Sequence, residues 1–232
     1  MAQVRGEAPL VSIIVRTLGR EEIQRTFACI ASQSYRPLEI VLVDSADRGL
    51  TMTRHADVPV RVVTGLGRLD RSRAANAGFE AARGEWVTIL DEDDEITPDH
   101  IASLVATATV SGARVAYSQA VLTGPPGTPQ RLLGGPWSHE MLKRSNYLAI
   151  HAVLFHRDVL AAGCRFDTSI PVLEDWDFWL QAASRFDFAF SGRPTAIYHV
   201  SAGQSGGGGG ANLDREAVLA ARNQIAAKWA AR

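Results

Sequence analysis

Apolar positions in the first hundred residues gather into four short runs: Val11 to Val15 (VSIIV), Glu39 to Val43 (EIVLV), Val60 to Val63 (VRVV) and Trp86 to Leu90 (WVTIL). They are rich in β-branched residues and mostly lack alternation, the pattern of strands covered on both faces. Between the first two, Ile23, Phe27 and Ile30 repeat on a helical stripe within Glu21 to Gln33. Between the last two, the Ala-rich stretch Arg71 to Arg83 reads as a helix ended by Gly84. Alternating strand and helix predicts a parallel sheet with right-handed crossovers. Farther on, Thr97-Pro98 opens a helix that runs to about Val110, since proline suits a first helical position. Val115 to Val121 reads as a strand, Thr123 to Gly135 as an exposed loop and Ala149 to Phe155 as a strand. Glu174 to Phe186 has Trp176, Trp179, Leu180 and Ala183 at helical spacing, and Ala196 to Val200 is a last short strand. Ser201 to Ala211 contains five consecutive glycines and reads as a flexible loop before a closing helix, Asp214 to Arg232. The expectation is one α/β domain over residues 1–232, a mostly parallel central sheet flanked by helices, with no internal repeat.

The first run leads into Thr17, the second into Asp44 and the fourth into Asp91. Ligands of open parallel sheets bind beyond the carboxyl ends of the strands, so these residues converge on one edge. The sharpest feature there is LDEDDE, Leu90 to Glu95, with five acids in a row. Asp91 and Asp93 share a face if the extended backbone continues, and paired carboxylates form a hard-oxygen site for Mg²⁺ or Mn²⁺. A solvated acidic turn ahead of a helix would carry the same letters. Glu174 and Asp175 open an aromatic helix; acids favour helix N-termini for dipole reasons alone, and one of them could equally act as a general base. Asp44 can accept hydrogen bonds from a nucleobase or ribose, or serve a turn. His199, near the end of the last strand, is either structural or a further metal ligand.

Composition narrows the classes. Of 232 residues 46% are hydrophobic and 21% charged, enough to bury a core. The formal net charge is −1 with no clustered basic excess, which argues against a nucleic-acid partner. Cys29 and Cys164 lack metal-ligand spacing and read as reduced thiols. With no signal-peptide core and no apolar run of about 18 residues, the chain reads as soluble and cytoplasmic, with peripheral contact to a membrane-bound acceptor left open.

Together these segments resemble the family 2 glycosyltransferases with the GT-A (Rossmann-like) fold. PLVSIIVRTLGR resembles the family's first strand and turn, and SQSYRPLEIVLVDSADRG its second strand with the nucleotide-binding aspartate. SRAANAGFEAARGEWVTILDEDDEITPDHI is similar to its central helix, strand and DXD motif, and GCRFDTSIPVLEDWDFWLQAASRF to the segment with the ED motif. The resemblance implies a nucleotide-binding half over 1–100 and an acceptor-binding half over 101–232. It implies transfer of a sugar, with inversion, from a nucleotide-diphosphate donor, most often UDP-linked. The acceptor would be a carbohydrate or glycolipid hydroxyl, as in polysaccharide biosynthesis. On this resemblance Thr17, Asp44, Asp91 and the more loosely aligned Arg71 contact the nucleotide. Asp93, with Asp91 and His199, holds the divalent metal, Mn²⁺ or Mg²⁺. Asp175 is the catalytic base, supported by Glu174. The chain departs from the family pattern at Arg16, where proline is frequent, and at Ala75, where arginine is frequent. Two other readings stay open. A nucleotidyltransferase would carry a Gly- and Arg-rich loop with a lysine after its first strand, whereas Thr17 to Arg20 has only Gly19; a non-catalytic binding domain would have lost one of the two acid motifs. The glycine-rich segment 201–211 is expected either to close over bound nucleotide and metal or to tether the last helix.

Overall fold

The computed structural model describes residues 8–124, 130–200 and 214–230. The expected glycine-rich loop 201–211 therefore lies outside the described residues. The elements begin β1 (Val11–Thr17), α1 (Ile23–Ala31), β2 (Leu38–Asp44), β3 (Arg54–His55), β4 (Val58–Val63), α2 (Arg71–Ala81) and β5 (Trp86–Ile89). They continue with β6 (Glu95–Ile96), α3 (His100–Ser111), β7 (Val115–Thr123), β8 (Arg131–Leu133) and α4 (His139–Arg144). A 3-10 turn at Ile150–Ala152 leads into β9 (Val153–His156), followed by α5 (Asp158–Ala161), α6 (Glu174–Ala183), β10 (Phe188–His199) and α7 (Arg215–Trp229).

One sheet runs in the order β3-β4-β2-β1-β5-β9-β7-β10-β6, with β8 paired to β7. The strands β4, β2, β1 and β5 are mutually parallel, as the alternation of strand and helix predicts. β9 then inserts antiparallel between β5 and β7, and the long β7–β10 ladder is parallel. The sheet is thus mixed, with its long ladders parallel.

Alternation along β1 sorts its side chains between two cores. Val11, Ile13 and Val15 pack with Ile23, Phe27 and Ile30 of α1 and with Ile101 and Leu104 of α3. Ile14 packs on the opposite face with Ala74, Ala75 and Phe79 of α2 and with Trp176, Phe178 and Trp179 of α6. The pleat of period two thus sends Arg16, at the carboxyl end of β1, to the α2 and α6 side. The same parity in β5, where Val87 and Ile89 face α2 and α6, sends Asp91 there as well.

Several elements differ from the sequence reading, each for a physical reason. The stretch Ser191-Gly192-Arg193-Pro194 carries residues that break strands, yet β10 spans it. The ladder to β7 shifts register there, and Gly192 takes φ 71°. Accordingly α6 stops at Ala183 rather than Phe186. Part of the expected loop Thr123 to Gly135 is the strand β8, which completes a hairpin with β7. Residues 149–152 belong to a 3-10 turn and its cap, so β9 is shorter than the apolar letters suggest.

Candidate active site

The five acids of the run after β5 face five different environments. The backbone leaves extended geometry beyond Asp91, whose carbonyl accepts from Asp94 N at 3.1 Å, so the facing of the acids that follow is set by a turn rather than by a pleat. Asp91 receives a side-on fork from Arg16, Nε to Oδ1 and Nη2 to Oδ2, both 2.7 Å. Glu92 is buried and braces the turn after β1. It accepts from Thr17 Oγ1 at 2.6 Å and from Leu18 N and Arg20 N at 3.1 Å each. Asp93 faces the cleft with Arg20 Nη1 3.6 Å away. Asp94 is buried, accepts from His199 N at 3.1 Å and lies 3.1 Å from His151 Nδ1. Glu95 contacts His199 Nε2 at 2.8 Å.

Across the cleft, α6 begins at an unusual backbone position. Leu173, at its N-cap, has φ 62°, a left-handed conformation costly for a branched residue and of the kind that clusters at functional sites. Glu174 is buried, and its Oε1 lies 3.8 Å from Arg16 Nη1. Asp175 accepts from Asn146 Nδ2 and from Trp176 N, both at 2.9 Å. Asp177 is fully buried and accepts from Gln181 Nε2 at 2.8 Å, Lys228 Nζ at 2.9 Å and Trp229 Nε1 at 2.8 Å, which anchors α7 to α6.

The two halves enclose a continuous crevice. A cavity of about 370 Å³ is lined by Thr17, Arg20, Ser45, Arg68 and Asp70, together with Arg16, Arg71, Asp91 and Asp93. A second, of about 200 Å³, shares those last four and adds Asn146, His151, Glu174, Asp175 and Tyr198. Charges in the crevice hold one another in place. Burial opposes ionisation of Asp91, but the Arg16 guanidinium holds its carboxyl below the usual range. Burial, then the neighbouring Glu174 carboxylate, push Asp175 up to about 7.

Most of the residues picked from sequence meet here. Thr17, Arg71, Asp91 and Asp93 line the larger cavity, and Glu174 and Asp175 the smaller. The Thr17 hydroxyl is already donated to Glu92. Asp44 is buried at the end of β2 beside the cleft residue Ser45, and neither cavity touches it. Its Oδ2 accepts from Leu50 N and Thr64 Oγ1, both at 3.1 Å, while Oδ1 is buried without a hydrogen-bond partner. His199 lines neither cavity; its ring nitrogens meet Glu95 and, at 2.9 Å, Thr123 Oγ1. Among the described residues no three His, Cys, Asp or Glu side chains gather as a metal cage. The carboxylate of Asp93, on the lining of both cavities, has the chemistry to hold a Mg²⁺ or Mn²⁺ whose shell phosphates would complete, since Mg²⁺ commonly takes only one or two protein carboxylates.

Residues 12–168 match the family described as glycosyl transferase family 2. The chain belongs to that family. Asp91 and Asp93 fall inside the match, while Glu174 and Asp175 lie beyond its end. Among curated relatives, the succinoglycan biosynthesis protein ExoO of Rhizobium meliloti is 28% identical over 176 residues, 72% of this chain and 48% of that protein. The amylovoran biosynthesis glycosyltransferase AmsB of Erwinia amylovora is 26% identical over 202 residues, 78% of this chain and 66% of that protein. The O-antigen biosynthesis protein RfbC of Myxococcus xanthus is 27% identical over 66% of this chain but only 13% of its own length. The family 2 chain thus spans about half of the first of these relatives and far less of the last. Among solved structures, S. aureus TarS residues 1–349 in complex with UDP-GlcNAc superposes with TM-score 0.66 at 18% identity, over 82% of this chain and 58% of that one. The mannosyltransferase PcManGT of Pyrobaculum calidifontis, in complex with GDP-Man and Mn²⁺, gives TM-score 0.61 at 20% identity, over 83% and 57%. The fold is therefore that of the GT-A glycosyltransferases.

For this family 2 chain the sequence reading passed over Arg16, Glu92, Asn146 and His151. Arg16 had a visible signal: a charged residue inside an otherwise apolar buried strand must find a partner. The others show no local pattern, because their partners, Asp94 for His151 among them, lie 29 to 75 residues away.

Proposed function

We propose that this chain transfers a glycosyl group, with inversion, from a nucleoside-diphosphate sugar to a hydroxyl of a carbohydrate or glycolipid acceptor. The observation that carries the reading is the single crevice with Arg71 and Asp93 in its shared middle and Asp175, raised to about 7, at one end. A carboxyl poised near neutrality is suited to take a proton at working pH. The nucleoside diphosphate is assigned to the larger cavity, where Arg68 and Arg71 offer guanidinium donors to phosphate oxygens. The orphaned Asp44 Oδ1 beside Ser45 offers an acceptor to the nucleoside. In the reaction the acceptor oxygen bonds to the anomeric carbon as the bond from that carbon to the diphosphate oxygen breaks. The acceptor proton passes to an Asp175 oxygen, and Asn146 holds that carboxylate in line. A divalent cation bound at Asp93 would supply Lewis-acid stabilisation of the leaving diphosphate. Two solved structures of this fold support the donor class, since their partners are UDP-GlcNAc and GDP-Man with Mn²⁺. UDP is the first choice of nucleotide.

The test begins with thermal shift against UDP, GDP, CDP and dTDP, with and without Mn²⁺; binding to the native state raises Tm by mass action. Donors built on the nucleotide that binds are then offered with glycan acceptors. Turnover by the parent and an Asp175→Asn rate lower by roughly 10²–10⁴-fold are expected. A variant that turns over like the parent at saturating acceptor would remove Asp175 from the mechanism.

A further inference from the structure

Arg16 stands where the two cavities meet and is 7% exposed. A guanidinium has five N–H donors and cannot leave them unmet in a buried site. Its Nε and Nη2 edge is spent on Asp91, at 2.7 Å to each oxygen. Nη1 donates to the Arg71 carbonyl at 3.0 Å, in the first turn of α2, and faces Glu174 Oε1 at 3.8 Å. One side chain on β1 therefore joins Asp91, the helix that brings Arg71 to the crevice, and Glu174 of the acid pair that opens α6. We propose that Arg16 is the positioning residue of this site, a single buried cation shared by Asp91 and the Glu174–Asp175 pair that fixes the geometry of the first and sets a positive charge beside the second.

Two consequences follow from the geometry. With both oxygens held in the fork, Asp91 is oriented as a hydrogen-bonded anion, and the turn carries Asp93 toward the cleft. On the other side, burial and the Glu174 carboxylate both oppose the charge on Asp175. Glu174 on its own helix and Arg16 from β1 act on Asp175; the other titratable or charged groups lining its cavity are Arg71 from α2, His151 from the turn before β9, and Asp91, Asp93 and Asp94 from the turn after β5. Arg222 of α7 lies over the adjoining Trp176 ring, 5.6 Å from its centroid. Of these, Arg16 is the cation with a guanidinium nitrogen beside the acid pair.

The inference deepens the transferase reading, and its test needs no sugar donor. The readout is the titration of the Asp175 carboxyl carbon by NMR in the whole chain, assigned by its loss in Asp175→Asn. Because Arg16→Met alone strands a buried Asp91, the comparison is between D91N and the double variant R16M/D91N, in which no carboxylate is left unpaired at position 91. Removing the cation should raise the Asp175 midpoint by about 0.5 to 2 pH units, the range a charge a few ångströms away produces between watery and protein-like screening. Arg16→Lys, which keeps the charge and loses the fork, should leave the midpoint near that of the parent. UDP binding with Mn²⁺ should nevertheless weaken in R16K by calorimetry, because Asp91 is no longer fixed. An unchanged midpoint in R16M/D91N, or equal midpoint shifts in R16K and R16M/D91N, would overturn the shared-cation role. If no donor is ever turned over while the midpoint moves as stated, the transferase reading fails and the positioning role stands.

Discussion

Asp91 and Asp93 are the same residue two positions apart, and their surroundings separate them. The first is neutralised by a bidentate guanidinium and held below the usual carboxylate range. The second pairs with the Arg20 guanidinium at 3.6 Å and lines both cavities, where the proposed function puts the diphosphate. On that reading metal dependence should rest on Asp93. In calorimetry with UDP, Asp93→Asn should abolish most of the gain in affinity that Mn²⁺ confers while leaving metal-free binding nearly unchanged. An intact Mn²⁺ effect in that variant would move the cation elsewhere. Asp44 invites a second measurement. Its buried, unpartnered Oδ1 is a costly feature unless a ligand donor completes it. Asp44→Ala should thus weaken uridine and UDP by a similar factor, roughly 10-fold or more, the worth of a hydrogen bond to a charged acceptor. A loss confined to the diphosphate would contradict a nucleoside contact. At this scale the sequence was informative about which acids stand at the sheet edge, because strand ends are written in the apolar pattern. It could not say that Glu92 braces a turn or that Asp94 holds His199, since those roles depend on partners far along the chain.

At the scale of elements, α6 does two jobs, and its sequence displays both once the register is known. Glu174 and Asp175 face the crevice, while Trp176, Phe178, Trp179 and Leu180 are buried in the core. Asp177 is also buried, and α7 answers it with Lys228 and Trp229. Lys228 also reaches Asp167 at 2.8 Å in the loop before α6, and its ammonium, with Ser169, holds that carboxyl down at about 2. The last helix is thus a clamp on the segment that presents the acid pair. Lys228→Met should leave Asp177 without its cation and cost roughly 3 kcal/mol, the lower end for breaking a buried pair, since the lysine is partly exposed. In urea unfolding the midpoint should fall. Pairing K228M with Asp177→Asn should recover a large part of the loss, whereas simple additivity would argue against the clamp. The helical periodicity of α6 and the four parallel strands could be read directly from apolar spacing. Only the end of β10 could, because Gly192 and Pro194 signal a break before Ala196 that the shifted register accommodates. For β9 the apolar run predicts a strand, but its antiparallel insertion between β5 and β7 is a property of the whole sheet.

For the molecule as a whole, the crevice is a place where stability is given up. The unfolded chain ionises Asp175 near the ordinary aspartate value of 3.8, the folded chain only near 7, because burial and Glu174 oppose the charge. Between those two values the native state binds the extra proton, so unfolding becomes progressively easier as pH rises across that window. Below it the group costs nothing; above about 7 the whole penalty is present. The carboxyl of Asp167 works in the opposite direction, its contribution present above its ordinary value and lost as pH falls toward about 2. A neutral residue at position 175 removes the first dependence. Asp175→Asn carries a fixed loss of its own, because Asn146 Nδ2 and Trp176 N both donate to this side chain and an amide can accept at only one end. That loss does not vary with pH, so the measurement that matters is the difference in Tm between variant and parent. It should rise from pH 4 to pH 7, level off above, and amount to about 2–4 °C for each kcal/mol recovered in a chain of this size. A flat difference across that range would mean that Asp175 ionises in the folded protein as it does in the unfolded one. It would then lack the raised affinity for a proton on which its role as base rests. If the difference rises as expected while transfer collapses, the penalty at position 175 is what the active crevice costs the fold.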